Sequence, residues 1–393
     1  MIRKWPALLL CTVLSVLCCH GAFADPSAFT LRAFDIPDND ALHFTAGMGP
    51  GWNLGNSFDA ADCTWLSNPL DYESGWCGVK ASGKLFDAVS AAGFRTVRLP
   101  VSWHNHVDDA YRIDPAWLDR VAEVVDMALS RDLNVILNIH HDTDLRYYYP
   151  DTAHYGNSER YISAVWEQLA LRFEDRGEKL IFESINEPRL KDTNWEWSPD
   201  PKNPVCRDAM DCINRLNQVF VNTVRATGGN NASRYLMVPG YAANPSYACT
   251  DLFVLPQDSA DNRIIVSVHA YTPYSFALQM PGTAGFSVGA GGQTSEIGSF
   301  MNSLYKRYIA NGIPVVIGEF GALAKGSNLQ ARVDYAAYYT ASAAVRGIPC
   351  CVWDNHAFTG SGELFGLLHR DTCRWEYPEI RDALLYGSAY AGQ

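Results

Sequence analysis

Two glutamates close two similar apolar stretches of the sequence. Glu187 ends the run Phe182-Glu183-Ser184-Ile185-Asn186-Glu187, and Glu319 ends the run Ile313-Pro314-Val315-Val316-Ile317-Gly318-Glu319. Each run is rich in apolar residues that favour a buried strand, and a proline or glycine that stops a strand follows within two residues. Two carboxylates at the ends of buried strands suggest paired acid–base and nucleophilic chemistry. Cleavage of glycosidic bonds is the commonest reaction built on such a pair.

Further polar residues occupy corresponding positions in the other apolar runs. They are Asn53 in the first run, Arg98 in the second, His140 and His141 in the third, Asn186 in the fourth, His269 and Tyr271 in the sixth, and Trp353 in the eighth. Polar residues with purely structural roles would be scattered along the strands. Their concentration at the carboxyl ends of the runs therefore predicts one common site.

For some of these polar residues, a purely structural role is an alternative to a role in the site. Glu183 precedes Glu187 by four residues on the same strand face, roughly 13 Å deeper at the usual rise of a strand, so we expect Glu183 to be buried and paired. Arg98 fits a core salt bridge as well as a position beside a catalytic carboxylate. His140 and His141 could bind zinc, but adjacent strand residues point to opposite faces, and we expect only one of them to face the site.

The elements that position these residues alternate between strand and helix. The predicted strands are Gly51 to Asn56, Thr96 to Val101, Asn134 to His141, Leu180 to Glu187, Tyr235 to Gly240, Ile264 to Tyr271, Pro314 to Glu319 and Cys350 to Asp354. Segments of helical period lie between them, for example Pro115 to Arg131 and Ile213 to Ala226. This order predicts an α/β fold, a (β/α)8 TIM barrel, rather than an open doubly wound sheet. No linker divides residues 25–393, so we expect a single catalytic domain.

Residues 1–24 have the pattern of a secretory signal peptide. Arg3 and Lys4 precede an apolar run, and Ala22-Phe23-Ala24 supplies small residues for cleavage. Cys18 and Cys19 raise the alternative of a lipoprotein, although Leu17 stands where a small residue would be wanted. We predict a secreted protein, extracellular or periplasmic. No other run approaches the roughly 18 apolar residues of a membrane span.

Composition limits the partners of the chain. Its 393 residues are 48% hydrophobic, which allows a large core, and its formal charge is −12. An acidic surface repels nucleic acid and anionic lipid, and it suits a neutral substrate. We expect a monomer that binds a polysaccharide and no nucleic acid or membrane. We expect no cofactor and no metal, because CxxC and HExxH spacings are absent from the sequence.

The cysteines predict disulfide bonds. Eight follow the signal peptide: Cys63, Cys77, Cys206, Cys212, Cys249, Cys350, Cys351 and Cys373. An even number in an exported chain is typical of disulfide pairing. Cys63 with Cys77 and Cys206 with Cys212 would close short loops, and the partners of the other four stay open.

The stretches at the ends of the predicted strands resemble motifs of glycoside hydrolase family 5. The matching motifs are Gly51-Trp52-Asn53-Leu54-Gly55-Asn56, Phe94-Arg95-Thr96-Val97-Arg98-Leu99-Pro100, Asn138-Ile139-His140-His141, Asn186-Glu187-Pro188-Arg189, His269-Ala270-Tyr271-Thr272-Pro273-Tyr274, Ile317-Gly318-Glu319-Phe320-Gly321 and Trp353-Asp354-Asn355. Residues 215–218 and 227–231 further resemble subfamily 4, whose members are mostly endo-β-1,4-glucanases acting on cellulose, mixed-linkage β-glucan or xyloglucan. The family pattern Trp-Trp-Asp-Asn-Gly departs at Val352 and His356.

The resemblance implies a retaining endo-β-1,4-glucanase with a β-glucan as substrate. The implied roles are general acid/base for Glu187, nucleophile for Glu319, binding of the sugar 2-hydroxyl for Asn186, orientation of the nucleophile for Tyr271 and Arg98, hydrogen bonding for His140 and His269, and stacking against a sugar for Trp353, with a cis peptide to Asp354.

The mechanism of this class adds two expectations. The two carboxyl groups should lie about 5 to 5.5 Å apart, too close for an intervening water, so the reaction should proceed with retention. Glu187 must begin protonated, and we expect the negative charge of Glu319 to raise the pKa of Glu187. Glycosylation of Glu319 would remove that repulsion and let Glu187 act as a base.

Other functions fit the same residues. The polymer could be xyloglucan, mannan or xylan, because loops decide among them. A degenerate barrel would bind sugar without cleaving it. A transglycosylase would pass the sugar to an acceptor hydroxyl instead of water.

Overall fold

A computed structural model of the chain describes residues 25–289 and 292–392. The predicted signal peptide, residues 1–24, lies outside the described residues. The described part of the chain contains no helix that is both long and apolar enough to cross a membrane.

Eight parallel strands form a closed barrel in sequence order. They are β1 (Gly51–Asn53), β2 (Thr96–Leu99), β3 (Asn134–Asn138), β4 (Leu180–Glu183), β5 (Leu236–Pro239), β6 (Ile264–His269), β7 (Val315–Phe320) and β8 (Cys350–Val352). The pairing of Gly51 with Cys351 closes the sheet. The predicted (β/α)8 barrel is confirmed, and each strand lies within or close to its predicted run.

Helices follow the strands and cover the outside of the barrel, except the first helix, which precedes β1 and packs on the apolar interior. They are α1 (Asp40–Ala46), α2 (Gly83–Ala92), α3 (Pro115–Leu129), α4 (Tyr155–Arg172), α5 (Pro204–Ala226), α6 (Pro245–Ala248), α7 (Tyr274–Ala277), α8 (Gly292–Arg307), α9 (Leu329–Ala344) and α10 (Pro378–Ser388). A two-stranded ribbon, β9 (Leu368–His369) with β10 (Arg374–Trp375), precedes the last helix. Helix α5 begins nine residues before Ile213, the start expected from the sequence.

The starts of α3 and α5 show why the chain turns into helices at these points. Asp114 and Asn203 cap the two helices by accepting the backbone N–H two residues ahead, and a proline follows each cap. Proline suits the first helical position because its missing N–H would have no partner there. The pair Asn203-Pro204 was therefore a signal that α5 begins at Pro204.

Two layers of opposite character fill the barrel interior. The deeper layer is apolar and packs on α1: Ile136, Ile181, Met237, Ile265, Val316 and Cys351. Two positions further along the strands, the inward side chains are polar and buried: Asn53, Arg98, Asn138, Glu183 and Ser267. Alternate residues of a strand share a face, so each polar side chain sits directly above the apolar plug. This polar layer lies directly beneath the side chains at the carboxyl ends of the strands and supports them.

The predicted disulfides are wrong. All eight cysteines of the described chain are free thiols. Cys206 and Cys212 both lie in helix α5, six residues apart. That spacing separates their Cα atoms by about 9 Å along the axis, beyond the roughly 7 Å that a disulfide can span. The thiols of Cys63 and Cys77 donate to different backbone carbonyls, those of Ala61 and Val79.

Candidate active site

Arg98 connects the buried polar layer to the mouth of the barrel. Its side chain has no exposed surface, and its nitrogens donate to Oε2 of Glu183 at 2.8 Å, Oε1 of Glu319 at 2.7 Å and Oδ1 of Asn186 at 2.7 Å. Nη1 also donates to Oδ1 of Asn53 at 3.0 Å. Burial alone would lower the pKa of Arg98, but the charges of Glu183 and Glu319 raise it above the ordinary value. Arg98 is thus a fixed cation beneath the site.

Glu319 lies on β7, and both of its carboxylate oxygens have a donor. Oε1 accepts from Arg98, and Oε2 accepts from the hydroxyl of Tyr271 at 3.0 Å. Its side chain is 8% exposed. Burial and the charge of Glu319 raise the pKa of Tyr271 well above its ordinary value, so Tyr271 stays a hydrogen-bond donor. Two donors on one carboxylate hold it in a fixed orientation.

Gly318 leaves the space that this arrangement needs. A Cβ at this position would lie 3.1 Å from Nε2 of His269 and 3.4 Å from Nε of Arg98. Strand β7 pairs His269 with Glu319 across a register shift in β6, which places the imidazole beside the carboxylate. A larger residue before Glu319 would therefore push these two groups away.

Glu187 lies opposite Glu319, four residues beyond the end of β4. Nδ1 of His269 donates to Oε1 of Glu187 at 2.9 Å and lies 3.6 Å from Oε1 of Glu319. One carboxylate oxygen from each glutamate and one nitrogen of His269 lie within 4.8 Å of one another. The two carboxylates therefore face each other across the site.

The expected rise in the pKa of Glu187 is wrong. Burial would raise the pKa of Glu187, but the hydrogen bond and charge of His269, with Arg189 and Arg98, outweigh it and hold this pKa below its usual value. Burial would lower the pKa of His269, yet the charge of Glu319 and the hydrogen bond to Glu187 raise it. Repulsion from Glu319 alone predicted a rise, and the neighbouring imidazole reverses it.

Glu183 is buried and paired, as expected, but it is not remote. It accepts from Arg98, from Nδ2 of Asn138 at 3.0 Å and from the hydroxyl of Ser267 at 2.5 Å. Nε2 of His269 lies 3.9 Å from Glu183, and Nδ1 of the same ring bonds Glu187. The imidazole thus lies between the two glutamates. Strand β4 ends at Glu183, so the spacing of a straight strand does not apply to Glu187.

The two histidines after β3 lie side by side instead of on opposite faces. His140 is buried; its Nδ1 lies 3.1 Å from the amide of Asn138, and its ring is parallel to that of Trp353 at 6.0 Å. His141 is exposed and its ring lies 4.4 Å from that of His140 and 5.7 Å from that of Trp76. Strand β3 ends at Asn138, so the alternation of a strand does not govern these residues.

Trp353 follows β8 and is largely buried. It packs with Leu323, Phe365 and Tyr271, and 8% of its surface is exposed. Its backbone N–H donates to the carbonyl of Phe320 at 2.8 Å. The peptide bond from Trp353 to Asp354 is not among the cis bonds of the described chain, so the expected cis peptide is wrong.

Two groups of described residues have the composition of a metal site. Glu187, His269 and Glu319 form one, and Asp59, His140 and His141 form the other. In the first, both oxygens of Glu319 and one oxygen of Glu187 already accept hydrogen bonds. In the second, both oxygens of Asp59 accept backbone N–H groups, and burial raises the pKa of Asp59 to about 7. A carboxyl that is partly protonated near neutrality is a poor ligand, so neither group requires a metal.

The structure brings together every residue that the sequence analysis assigned to the site, and it adds others. Asn138 supports Glu183 and His140, and its place two residues after Ile136 on β3 could have revealed that it points inward. Arg189 lies 4.0 Å from Glu187 and bonds its backbone carbonyl. Asp59 approaches the histidines from a loop, and periodicity gives no signal for such a contact.

Fold and site together define a glycoside hydrolase. The profile of the family described as Cellulase (glycosyl hydrolase family 5) matches residues 58–359. The chain belongs to this family. Endoglucanase A of Clostridium longisporum is 38% identical over 343 residues, which cover 86% of this chain and 64% of that protein. This chain thus spans slightly less than two thirds of that relative.

Solved structures agree with this assignment. A family 5 lichenase from Caldicellulosiruptor sp. F32, as a glutamate-to-glutamine variant in complex with cellotetraose, is 51% identical with a TM-score of 0.90; 93% of this chain and 100% of that chain are covered. A GH5-4 broad specificity endoglucanase from Ruminococcus champanellensis with bound cellotriose is 42% identical with a TM-score of 0.82, over 90% and 100% of the two chains. The subfamily resemblance seen in the sequence is confirmed.

Proposed function

We propose that this chain is a secreted, retaining endo-β-1,4-glucanase that hydrolyses mixed-linkage and cellulose-type β-glucans. The observation that carries the proposal is the pair Glu187 and Glu319, with oxygens within 4.8 Å of each other and distinct partners. Retaining enzymes hold their carboxyl groups about 5 to 5.5 Å apart, whereas inverting enzymes need room for a water molecule. The similarity to a lichenase and to a broad specificity endoglucanase supports this choice of polymers.

In the first step, Glu319 attacks the anomeric carbon while Glu187 gives a proton to the glycosidic oxygen. The hydrogen bonds from Arg98 and Tyr271 hold the attacking carboxylate in place. The bond from the anomeric carbon to the leaving oxygen breaks as the bond to Glu319 forms, and the leaving sugar departs with the proton. Arg98 stays charged throughout, so it stabilises Glu319 and takes no part in proton transfer.

His269 determines where the transferred proton is held. The pKa of His269 is raised and that of Glu187 is lowered, and the two groups share a 2.9 Å hydrogen bond. The pair therefore binds its reactive proton on the imidazole side in the free enzyme. Because the hydrogen bond connects the two sites directly, Glu187 can pass this proton to the leaving oxygen.

In the second step, water attacks the anomeric carbon and Glu187 takes the water proton. The bond from the anomeric carbon to Glu319 breaks as water attacks, which restores the carboxylate. The first transfer has left Glu187 ionised and His269 neutral, so the proton taken from water returns to the imidazole through their hydrogen bond. Asn186 accepts from Arg98 through Oδ1, which leaves its amide nitrogen for the sugar 2-hydroxyl. Both steps invert the anomeric carbon, so the product retains the original configuration.

Product release from a panel of polymers tests this proposal. We expect reducing ends and a rapid loss of viscosity with barley β-glucan and carboxymethylcellulose, and slower release from xyloglucan and mannan. Glu187→Ala and Glu319→Ala should abolish release from the polymers while folding normally. Failure of the folded wild-type protein to cleave any polymer would favour a sugar-binding barrel instead.

Secretion is a separate part of the proposal. It depends on the apolar run and the small residues before Asp25. N-terminal sequencing of protein from the medium or periplasm of an expression host should begin at Asp25. Retention of residues 1–24, or attachment of lipid at Cys18 or Cys19, would contradict it.

A further inference from the structure

The general acid of the proposed mechanism lies on a loop and not on a strand. Strand β4 ends at Glu183, so the connection that leads to α5 carries Glu187. The N–H of Asn186 donates to the carbonyl of Ile139 at 2.8 Å, which fixes the chain up to the residue before the acid. Pro188 follows the acid and has no N–H to donate. The chain beyond Glu187 therefore needs another element to fix it.

A short turn that follows β5 supplies this fixation. It consists of Tyr241–Ala243 and is called the β5 turn below. The N–H of Ala242 donates to the carbonyl of Pro188 at 2.8 Å. The hydroxyl of Tyr241 accepts from the N–H of Leu190 at 2.9 Å. Two contacts thus hold the chain immediately beyond the acid.

Tyr241 is buried, and its hydroxyl makes two hydrogen bonds. Its surface is 2% exposed, and besides accepting from Leu190 it donates to the carbonyl of Trp195 at 2.8 Å. Burial raises the pKa of Tyr241 above its ordinary value, so the hydroxyl stays protonated and can both donate and accept. The ring packs in an apolar cluster with Met210 and Ile213. Phenylalanine would keep this packing and lose only the two hydrogen bonds.

The backbone of the β5 turn is strained. Ala242 and Ala243 have φ angles of 52° and 49°, in the left-handed region that side chains such as alanine rarely adopt. Both residues are buried. Strain of this kind persists only where the surrounding contacts over-determine it, and it concentrates at functional sites. Here the first strained residue donates the hydrogen bond to Pro188, directly after the acid.

We propose that Tyr241 and the left-handed Ala242 are positioning residues for the general acid, which hold residues 188–190 so that the carboxyl of Glu187 meets the glycosidic oxygen. This inference rests on the proposed function, since it takes Glu187 as the acid and base. Tyr241 acts through the loop and does not contact the substrate. Its loss therefore slows the steps in which Glu187 gives or takes a proton, and it spares attack by Glu319 on a sugar whose leaving group needs no proton.

Aryl β-cellobiosides with different leaving groups isolate this role. They share the sugar and an aromatic leaving group, but phenol must be protonated as it leaves and 2,4-dinitrophenol need not be. The ratio kcat/KM reports the step that breaks the glycosidic bond. We expect Tyr241→Phe to lower kcat/KM for phenyl β-cellobioside about tenfold, a part of the roughly 10²- to 10⁴-fold that general acid catalysis contributes. It should leave kcat/KM for 2,4-dinitrophenyl β-cellobioside unchanged.

The second step gives an independent readout. With the dinitrophenyl substrate the first step is fast, so hydrolysis of the intermediate limits kcat, and this hydrolysis needs Glu187 as a base. Tyr241→Phe should therefore lower kcat and KM for this substrate by the same factor. A variant in which part of the protein had merely unfolded would show a lower kcat with an unchanged KM.

Two substitutions at Ala242 test the turn itself. Glycine keeps the backbone N–H and adopts a positive φ without steric cost, so Ala242→Gly should retain the wild-type values for both aryl substrates. Ala242→Val places a branched side chain in a conformation that it avoids, and it should reproduce the selective loss of Tyr241→Phe. Wild-type values in both variants would remove the turn from the proposal.

Tyr308→Phe is the matched control. Tyr308 is also a buried tyrosine whose hydroxyl donates to a backbone carbonyl, that of Ala248, and it makes no hydrogen bond to residues 187–190 of the described chain. It should leave the ratio of the two kcat/KM values unchanged. Equal losses on both substrates in Tyr241→Phe, no loss on either, or the same ratio change in Tyr308→Phe would each overturn the assignment. Wild type that cleaves neither polymers nor aryl cellobiosides would instead refute the proposed function itself.

Discussion

The guanidinium of Arg98 donates a 2.7 Å hydrogen bond to Oε1 of Glu319 from a position with no exposed surface. The same group also pairs with Glu183, which is fully buried and has no place in the reaction. Removing one partner of a buried ion pair leaves an uncompensated charge, and this costs more than the pair contributes. Arg98 therefore couples the stability of the barrel interior to the orientation of the nucleophile.

A double substitution can separate these two effects. Arg98→Met should lower the free energy of unfolding by about 3 to 5 kcal/mol, because Glu183 is left buried without its cation. Adding Glu183→Gln should recover most of this loss. Activity should not recover, because Glu319 still lacks its donor. Urea unfolding and hydrolysis of β-cellobiosyl fluoride measure the two quantities, and recovery of activity together with stability would contradict a direct role of Arg98 at Glu319.

Tyr271→Phe removes the second donor to the nucleophile. The phenolic hydroxyl lies 3.0 Å from Oε2 of Glu319, and a hydrogen bond to a charged group contributes about 1.5 to 3 kcal/mol. We expect kcat/KM to fall by about ten- to a hundredfold with little change in the melting temperature. Tyr335→Phe is a suitable control, since its buried hydroxyl has no hydrogen-bond partner in the described chain and should tolerate removal.

His269→Asn should change the pH dependence of the reaction. The raised pKa of His269 means that the pair with Glu187 keeps its reactive proton above the ordinary histidine range and loses it as pH rises further. The variant lacks this basic ring, so the alkaline limb of kcat/KM should move to lower pH. Burial holds the pKa of His140 well below its ordinary value, so His140 is already neutral in the pH range of the alkaline limb. His140→Asn should therefore leave the limb in place, and equal shifts in both variants would refute the assignment.

The free thiols give a prediction about reducing agents. The described cysteines form no disulfide, and burial raises the pKa of Cys212 to about 11, which makes this thiol slow to react. The melting temperature should be the same with and without reductant. Alkylation of the unfolded protein without prior reduction, followed by mass spectrometry, should label all eight. A pair of cysteines that stays unlabelled without reductant would contradict the structure.

The sequence was sufficient to predict the barrel and the residues that converge at its mouth. The run that contains Glu319 shows a strand end directly, because Gly321 follows the last residue of β7. The run that ends in Glu187 locates β4, although this strand ends four residues earlier, at Glu183. Side-chain alternation also places Glu183 in the interior. These features depend on local patterns, which a single sequence contains.

The electrostatics of the acid could not be predicted in this way. The lowered pKa of Glu187 depends on the contact with His269, 82 residues away, and on the bend after β4 that brings them together. The failure of the Cys206–Cys212 pair likewise depends on where α5 begins. Each is a relationship between elements, so it became visible only with the fold.

Covalent trapping tests the central claim, that Glu319 is the nucleophile of a retaining mechanism. The wild-type protein is incubated with 2,4-dinitrophenyl 2-deoxy-2-fluoro-β-cellobioside, whose fluorine slows hydrolysis of the intermediate, and digested for peptide mapping by mass spectrometry. The account predicts one fluorocellobiosyl group on Glu319 and recovery of activity as it turns over. A label on another residue, or turnover that yields the α-anomer with no covalent adduct, would contradict it.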